Sequence, residues 1–179
     1  MKELNNKELL ELIKTDVFEF NAYRKVYEDQ EIDFSHANLQ GANLIGANLE
    51  GADLKEANLT YADLTYADLT YADLEDANLE YANLGGADLK GADLKGNNLE
   101  NANFENANLM KANLEGADLS RADLENANFE NANLVKANLK GADLVEANLY
   151  EANLEGVNLE NAKITLTKAN IEAIKGALL

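Results

Sequence analysis

The chain has 179 residues and a formal net charge of −18, and it contains no cysteine, proline or tryptophan. Without cysteine there is no disulfide framework, no thiolate metal site and no cysteine nucleophile. The strong negative charge argues against direct binding of DNA, RNA or anionic lipid, which require a positive surface, and it leaves basic or DNA-binding proteins as partners.

The segment before the repeat carries the signals of two helices. Asn5 and Glu8 have the spacing of a capping box, and Asp16 with Glu19 predicts a second helix start. The apolar stripe after the first start consists of Leu9, Leu12 and Ile13. Four further side chains are predicted to seal the end of the structure that follows, namely Phe18, Tyr23, Val26 and Tyr27. Residues 1–31 are therefore expected to form a helical N-terminal cap.

Residues 32–166 are one uninterrupted five-residue repeat. Every fifth residue from Phe34 to Ile164 is large and apolar, which makes (164 − 34)/5 + 1 = 27 units, and leucine fills 23 of these central positions. Alanine stands two residues before the centre in 24 units, and Asn or Asp lies between the two in 26 units. The two residues after the centre vary freely. Such a pattern indicates a repeat architecture.

A period of five fits neither an α-helix nor a plain strand. On a helix, each step of five residues would rotate the apolar residue by about 140°, so the leucines would spiral around every face. In an extended segment, alanine and leucine two residues apart point to one side and Asn or Asp to the other. The sequence therefore predicts a coil with short extended edges and a turn at each corner, with Asn and Asp bonding backbone groups at the turns.

The units resemble the pentapeptide repeat family, as residues 42–46 (ANLIG) and 62–66 (ADLTY) illustrate. The resemblance implies an all-β solenoid, a right-handed quadrilateral parallel β-helix with four units per coil. The 27 units then make about seven coils (27/4 = 6.75) and a rod roughly 32 Å long at about 4.8 Å per coil. Residues 19–25, which lead into Ile32 and Phe34, are similar to cap segments of bacterial members of the family.

Residues 167–179 return to helical spacing. The apolar residues Ile171, Ile174 and Leu178 follow one another at i, i+3 and i+7. One interpretation is a lid on the last coil, because an open solenoid would expose its core and its unpaired edge. The other is a homodimer contact, since related proteins pair through C-terminal segments. The chain is thus expected to be a monomer or a C-terminal homodimer.

Four features depart from the monotony of the repeat. The tyrosines Tyr61, Tyr66, Tyr71 and Tyr81 occupy outward positions and form a candidate interaction surface, with Tyr61 and Tyr81 expected to touch. A candidate cation-binding ladder consists of Asp33, Asp53, Asp73 and Asp93, with Lys55 and Lys95 nearby to offset the repulsion. Asn97 replaces an inward alanine and is expected to be satisfied by local backbone or water. His36, the only histidine, is expected to be an ordinary surface residue.

Nothing in the repeat assembles a catalytic, cofactor or metal site, so we expect a non-enzymatic scaffold that binds another protein. The alternative is a DNA mimic, because some members of the resembled family bind DNA gyrase and protect it from quinolones. Residues 32–166 carry 24 acidic and 8 basic residues, a net −16, where duplex DNA of that length carries about 19 phosphates. The uniform repeat would also suit an engineered array, although the irregular ends favour a natural protein.

The start of the chain is polar, and no apolar run approaches the roughly 18 residues that cross a bilayer. These features predict a cytosolic protein without a membrane segment.

Overall fold

The computed structural model of the protein describes residues 2–177. Two helices come first, α1 (Asn6–Thr15) and α2 (Val17–Val26), and one helix comes last, α3 (Lys168–Ala177). Between them runs the repeat, in which a regular series of single-residue parallel bridges is followed by a two-residue parallel pair, β1 (Asp143–Leu144) and β2 (Lys163–Ile164). Within residues 2–177 no helix has both the length and the apolar character needed to cross a bilayer.

Each coil of the rod consists of four repeat units. The parallel bridges join the Asn or Asp of each unit to that of the unit four units later, from Asp33 with Asp53 to Asn138 with Asn158. Leu39 donates its backbone N–H to the Asn58 carbonyl at 2.8 Å, and Asn58 donates back to the Ala37 carbonyl at 2.9 Å. This ladder satisfies the backbone between neighbouring coils. The predicted right-handed quadrilateral β-helix is confirmed.

Every unit except the last ends in the same tight turn. The backbone N–H of Ala42 donates to the Leu39 carbonyl at 3.0 Å, and Gly41 just before Ala42 has a φ of +63°. All corner residues at this position, from His36 to Asn161, have φ between +54° and +70°, and 17 of them are not glycine. A positive φ at the third residue is what a type II turn requires. The corner is therefore the second residue after each central leucine.

The core is a set of stacked apolar ladders. On each edge, the inward leucines of successive coils stack on one another. One such ladder consists of Leu54, Leu74, Leu94, Leu114, Leu134 and Leu154. These leucines and the alanines two residues before them are all buried. The Asn and Asp side chains bond the backbone as predicted: the Asn58 Oδ1 accepts from the Thr60 N–H at 3.1 Å. Many amides also link coils, since the Asn113 Nδ2 donates to the Asp93 Oδ1 at 3.0 Å.

The N-terminal helices cover the first coil. Asn5 and Glu8 form the predicted capping box, and the Asp16 side chain caps α2. The buried apolar residues of the two helices are Leu9, Ile13, Phe20 and Tyr23. The prediction for Phe18 and Val26 was wrong, because their side chains are 83% and 59% exposed. Residues two apart on a helix point to different sides, so α2 turns Phe20 inward, 6.2 Å from the Phe34 ring, and Phe18 outward.

An asparagine blocks the open edge at each end of the rod. Asn21 of α2 accepts from the Asn48 N–H and donates to the Gly46 carbonyl, both at 2.8 Å. Asn170 of α3 accepts from the Leu149 N–H at 3.1 Å and donates to the Ala147 carbonyl at 3.0 Å. Each amide thus replaces the peptide group of a missing coil, which protects an edge that would otherwise pair with another chain.

The last helix lies over part of the final coil. Ile174 and Ala173 of α3 pack against the end of the core, and Ile171 is half-buried. Leu178, the third residue of the predicted apolar spacing, lies outside the described residues. In the final coil, Val157, Leu159 and Ile164 are only partly buried. Helix α3 therefore covers one side of this end of the core and not all of it.

Candidate functional site

The outward side chains lie on four faces of the rod. Units five residues apart lie on successive faces, and units 20 apart stack on one face. Face 1 holds the units that begin at residues 32, 52 and 72, face 2 those at 37, 57 and 77, face 3 those at 42, 62 and 82, and face 4 those at 47, 67 and 87. The corner residue that ends each unit lies between its own face and the next.

The four candidate tyrosines occupy three successive corners. Tyr61 and Tyr81 share the corner between faces 2 and 3, where their rings stack as predicted, with centroids 5.0 Å apart and planes 4° apart. Tyr66 lies on the corner between faces 3 and 4, and Tyr71 on the corner between faces 4 and 1. All four are exposed. They therefore form a collar around three corners, and no flat partner could touch all of them.

Glycines one coil further on hold two of the rings in place. The Tyr66 ring lies on Gly86 and the Tyr71 ring on Gly91, where an added Cβ would stand only 2.6 Å from the Tyr71 ring. Any other residue at either glycine would push the ring away. The signal for this arrangement in the sequence is a corner tyrosine followed by a corner glycine one full coil later.

The aspartate ladder of face 1 is compensated by lysines. Lys55 lies 2.9 Å from the Asp73 carboxylate and 4.0 Å from that of Glu75, and Lys95 lies 3.1 Å from Glu75. The hydrogen bond to Asp73 raises the pKa of Lys55, and the one to Glu75 raises the pKa of Lys95. Among residues 2–177 no group of three or more His, Asp or Glu side chains could hold a metal ion.

The structure contradicts the expectation that local backbone groups satisfy the Asn97 amide. The side chain is fully buried, and neither amide atom has a hydrogen-bond partner among the described residues. The bond from the Asn98 N–H to the Ala77 carbonyl is stretched to 3.4 Å, whereas the equivalent bond from Asn78 measures 2.9 Å. The larger amide locally stretches this one bond where alanine would fit, while the bond from the Leu79 N–H to the Asn98 carbonyl between the same coils stays at 2.8 Å.

His36 is a surface residue, as expected. Its Nδ1 lies 3.3 Å from a Glu56 carboxylate oxygen one coil away, and both side chains are largely exposed. At the other end of the rod, α3 and the final coil enclose a groove of about 710 Å³ lined by Tyr150, Leu154, Ala169 and Ala173, among others. Neither feature gathers titratable groups in a buried setting, where strongly perturbed pKa values are found.

Comparison with known proteins identifies the repeat. The model of a family described as pentapeptide repeats matches in eight copies, over residues 32–70, 57–96, 87–126 and 122–161. Among solved structures, two trypsin-treated variants of QnrB1, described as a plasmid-mediated fluoroquinolone resistance protein, are similar at 21% and 22% identity, with TM-scores of 0.70 and 0.71, over 83% of this chain and 84% of theirs. Rfr23, a pentapeptide repeat protein from the cyanobacterium Cyanothece 51142, is 34% identical over 81% of this chain and 97% of its own, with a TM-score of 0.33. No curated protein sequence matches the chain.

Proposed function

The chain belongs to the pentapeptide repeat family, and from that premise we propose that it is a non-enzymatic rod that binds another protein in the cytosol. The observation that carries the proposal is how the repeat uses its five positions. Alanine and leucine fill the core, and Asn or Asp bonds the turn, so only the two positions after the centre are free to vary. Variation of outward residues on a rigid rod is suited to recognition.

Capture of a partner tests this proposal. The immobilised chain is incubated with cytosol of the source cell, beside a variant in which Tyr61, Tyr66, Tyr71 and Tyr81 are all replaced by glycine. Glycine suits these corners, because each has a φ between +57° and +60°. We expect a protein that the wild type retains and the variant loses. Retention of the same proteins by both would remove the tyrosine collar from the proposal.

A second candidate function is mimicry of DNA towards a DNA-binding protein such as DNA gyrase. It is supported by the net −16 of residues 32–166 over roughly 32 Å, a density close to the one phosphate per about 1.7 Å of duplex DNA. It is also supported by the shared fold of QnrB1, which is described as a fluoroquinolone resistance protein.

A supercoiling assay separates the two candidates. Purified gyrase is assayed with and without a quinolone, in the presence of the chain at micromolar concentration. A DNA mimic is expected to alter supercoiling or to relieve quinolone inhibition, and the effect should weaken as salt rises, because charge provides the attraction. No effect under these conditions would end the gyrase proposal and leave the general one in place.

A further inference from the structure

In its first three coils face 3 carries little charge for so acidic a rod, and only face 2, where Glu80 is the single charge, matches it. The outward residues of face 3 there are Asn43, Ile45, Asp63, Thr65, Asn83 and Gly85, which include one charge. The same positions of face 1 are Asp33, Ser35, Asp53, Lys55, Asp73 and Glu75, which include five. A nearly uncharged strip on a chain of net charge −18 is a local exception to the general composition.

The strip also carries exposed apolar side chains. Ile45 is exposed at the cap end of the strip, the stacked rings of Tyr61 and Tyr81 border one side, and Tyr66, 73% exposed, borders the other. Exposed apolar residues gathered in this way mark interaction sites.

The floor of the strip is low and rigid. Gly85 has no side chain, and Gly86 lies beneath the Tyr66 ring. The Asn83 Nδ2 donates to the Thr65 Oγ1 at 2.8 Å, and the Thr65 hydroxyl donates in turn to the Asp63 carboxylate. These bonds occupy the one charged group of the strip and hold its polar side chains in fixed positions, so a partner meets a preformed surface.

Beyond Gly85 the same column becomes acidic. Glu105 and Glu125 follow at successive coils, both exposed, and each accepts a hydrogen bond from the corner amide beside it, from Asn106 at 3.1 Å and Asn126 at 3.4 Å. Face 3 is therefore polarised along the rod, with its apolar half near the cap and its acidic half towards the middle.

We propose that face 3 binds an extended segment of another protein, with apolar side chains against Ile45 and Tyr66 and lysine or arginine side chains over Glu105 and Glu125. This inference rests on the proposed protein-binding function. The charge of the acidic half requires a basic partner, and the apolar half offers area that excludes water. Ile45 and Glu125 lie four coils apart, about 19 Å, which an extended segment of roughly six residues spans.

A peptide selection tests the proposal with a defined probe. A phage-displayed library of random 12-residue peptides is selected on the full chain, and an enriched peptide is synthesised for titration. We expect enriched peptides to join an apolar cluster to lysine or arginine. Their affinity should fall at least tenfold in Tyr66→Gly and in the double variant Glu105→Gln, Glu125→Gln. Tyr71→Gly is the matched control, since Tyr71 also lies over a glycine at a corner of positive φ but borders other faces; its affinity should change less than twofold.

Three results would overturn the proposal. One is enrichment of peptides without the apolar and basic combination, and another is an equal loss of affinity in Tyr66→Gly and Tyr71→Gly. The third is that no peptide is enriched. Circular dichroism of each variant verifies that the coil is intact. If any of these results appears while the capture experiment still yields a partner, face 3 is the wrong surface and the general protein-binding function stands.

Discussion

Corner residues govern how each unit turns. Seventeen of them are not glycine although all have a positive φ, a region that costs an L-residue roughly 1–2 kcal/mol. Tyrosine, lysine and glutamate at these corners therefore oppose the stability of the turn, and their presence is consistent with selection for what the outward side chain does. Only the asparagines, the one aspartate and His36 among the seventeen belong to residue types that are enriched in this conformation.

Lys111→Gly is expected to raise the melting temperature. Lys111 has a φ of +62°, so glycine removes the strain, and the gain exceeds the roughly 0.5–1 kcal/mol of chain entropy that glycine loses on folding. Lys90→Gly is the matched control, because Lys90 stands one residue before a corner and does not have a positive φ. It should lower the melting temperature, and a fall in both variants would contradict this account of the corner.

Asn97→Ala is expected to stabilise the rod by about 1–3 kcal/mol, since it removes a buried amide whose hydrogen-bonding groups have no protein partner. The neighbouring variant Asn98→Ala should act in the opposite direction, because the Asn98 Oδ1 accepts from the Glu100 N–H at 3.2 Å. Urea unfolding of both variants measures the two signs. A loss of stability in Asn97→Ala would show that the amide is satisfied.

Lys163 occupies the position that Asn or Asp fills in the other 26 units. Its Nζ lies 2.6 Å from the Asp143 carboxylate one coil below, and this hydrogen bond lowers the pKa of Asp143. A lowered carboxylate pKa stabilises the fold above the ordinary Asp value near 4, and that contribution is lost as the pH falls through the folded-state pKa. Lys163→Met should raise the pKa of Asp143 in an NMR titration. If the pKa of Asp143 did not change, the hydrogen bond that Asp143 accepts from the Val145 N–H would be the cause of the lowered value instead.

At the scale of elements, the two ends were the hardest part to predict. The capping box and the 27 repeat units follow from short-range patterns, so the helix starts and coils could be predicted from the sequence. The choice of Phe20 over Phe18 depends on how α2 docks on the first coil, and a local pattern does not contain that information. The edge-blocking roles of Asn21 and Asn170 were missed for the same reason, since each bonds backbone groups of a coil that is distant in the sequence.

Deletion of residues 167–179 is expected to make the chain self-associate. The deletion removes Asn170 and leaves the Leu149 N–H and Ala147 carbonyl of the last coil without their partner, and an unpaired edge of this kind recruits other chains. Light scattering of the full-length and shortened proteins gives the masses. A full-length dimer that becomes a monomer would assign α3 to the dimer contact, and an unchanged monomer would contradict both interpretations.

The molecule as a whole is an acidic rod, and face 3 carries a nearly neutral strip bordered by exposed tyrosines. The strip could not be predicted from the sequence by itself, because its residues are 20 positions apart and meet only when four units close each coil. The sequence predicts the four tyrosines as one interaction surface. The coil instead distributes them over three corners and brings only Tyr61 and Tyr81 into contact. Long-range negative charge should speed the encounter with a basic partner, and the strip should determine which partner stays bound.

Calorimetric titration of the captured partner, once purified, tests the protein-binding function most directly. The partner is titrated into the wild type and into the variant with glycine at Tyr61, Tyr66, Tyr71 and Tyr81, each at low and at physiological salt. The account predicts saturable binding to the wild type that weakens as salt rises, and an affinity at least tenfold lower for the variant. Equal affinity of both proteins, or binding that salt does not change, would contradict it.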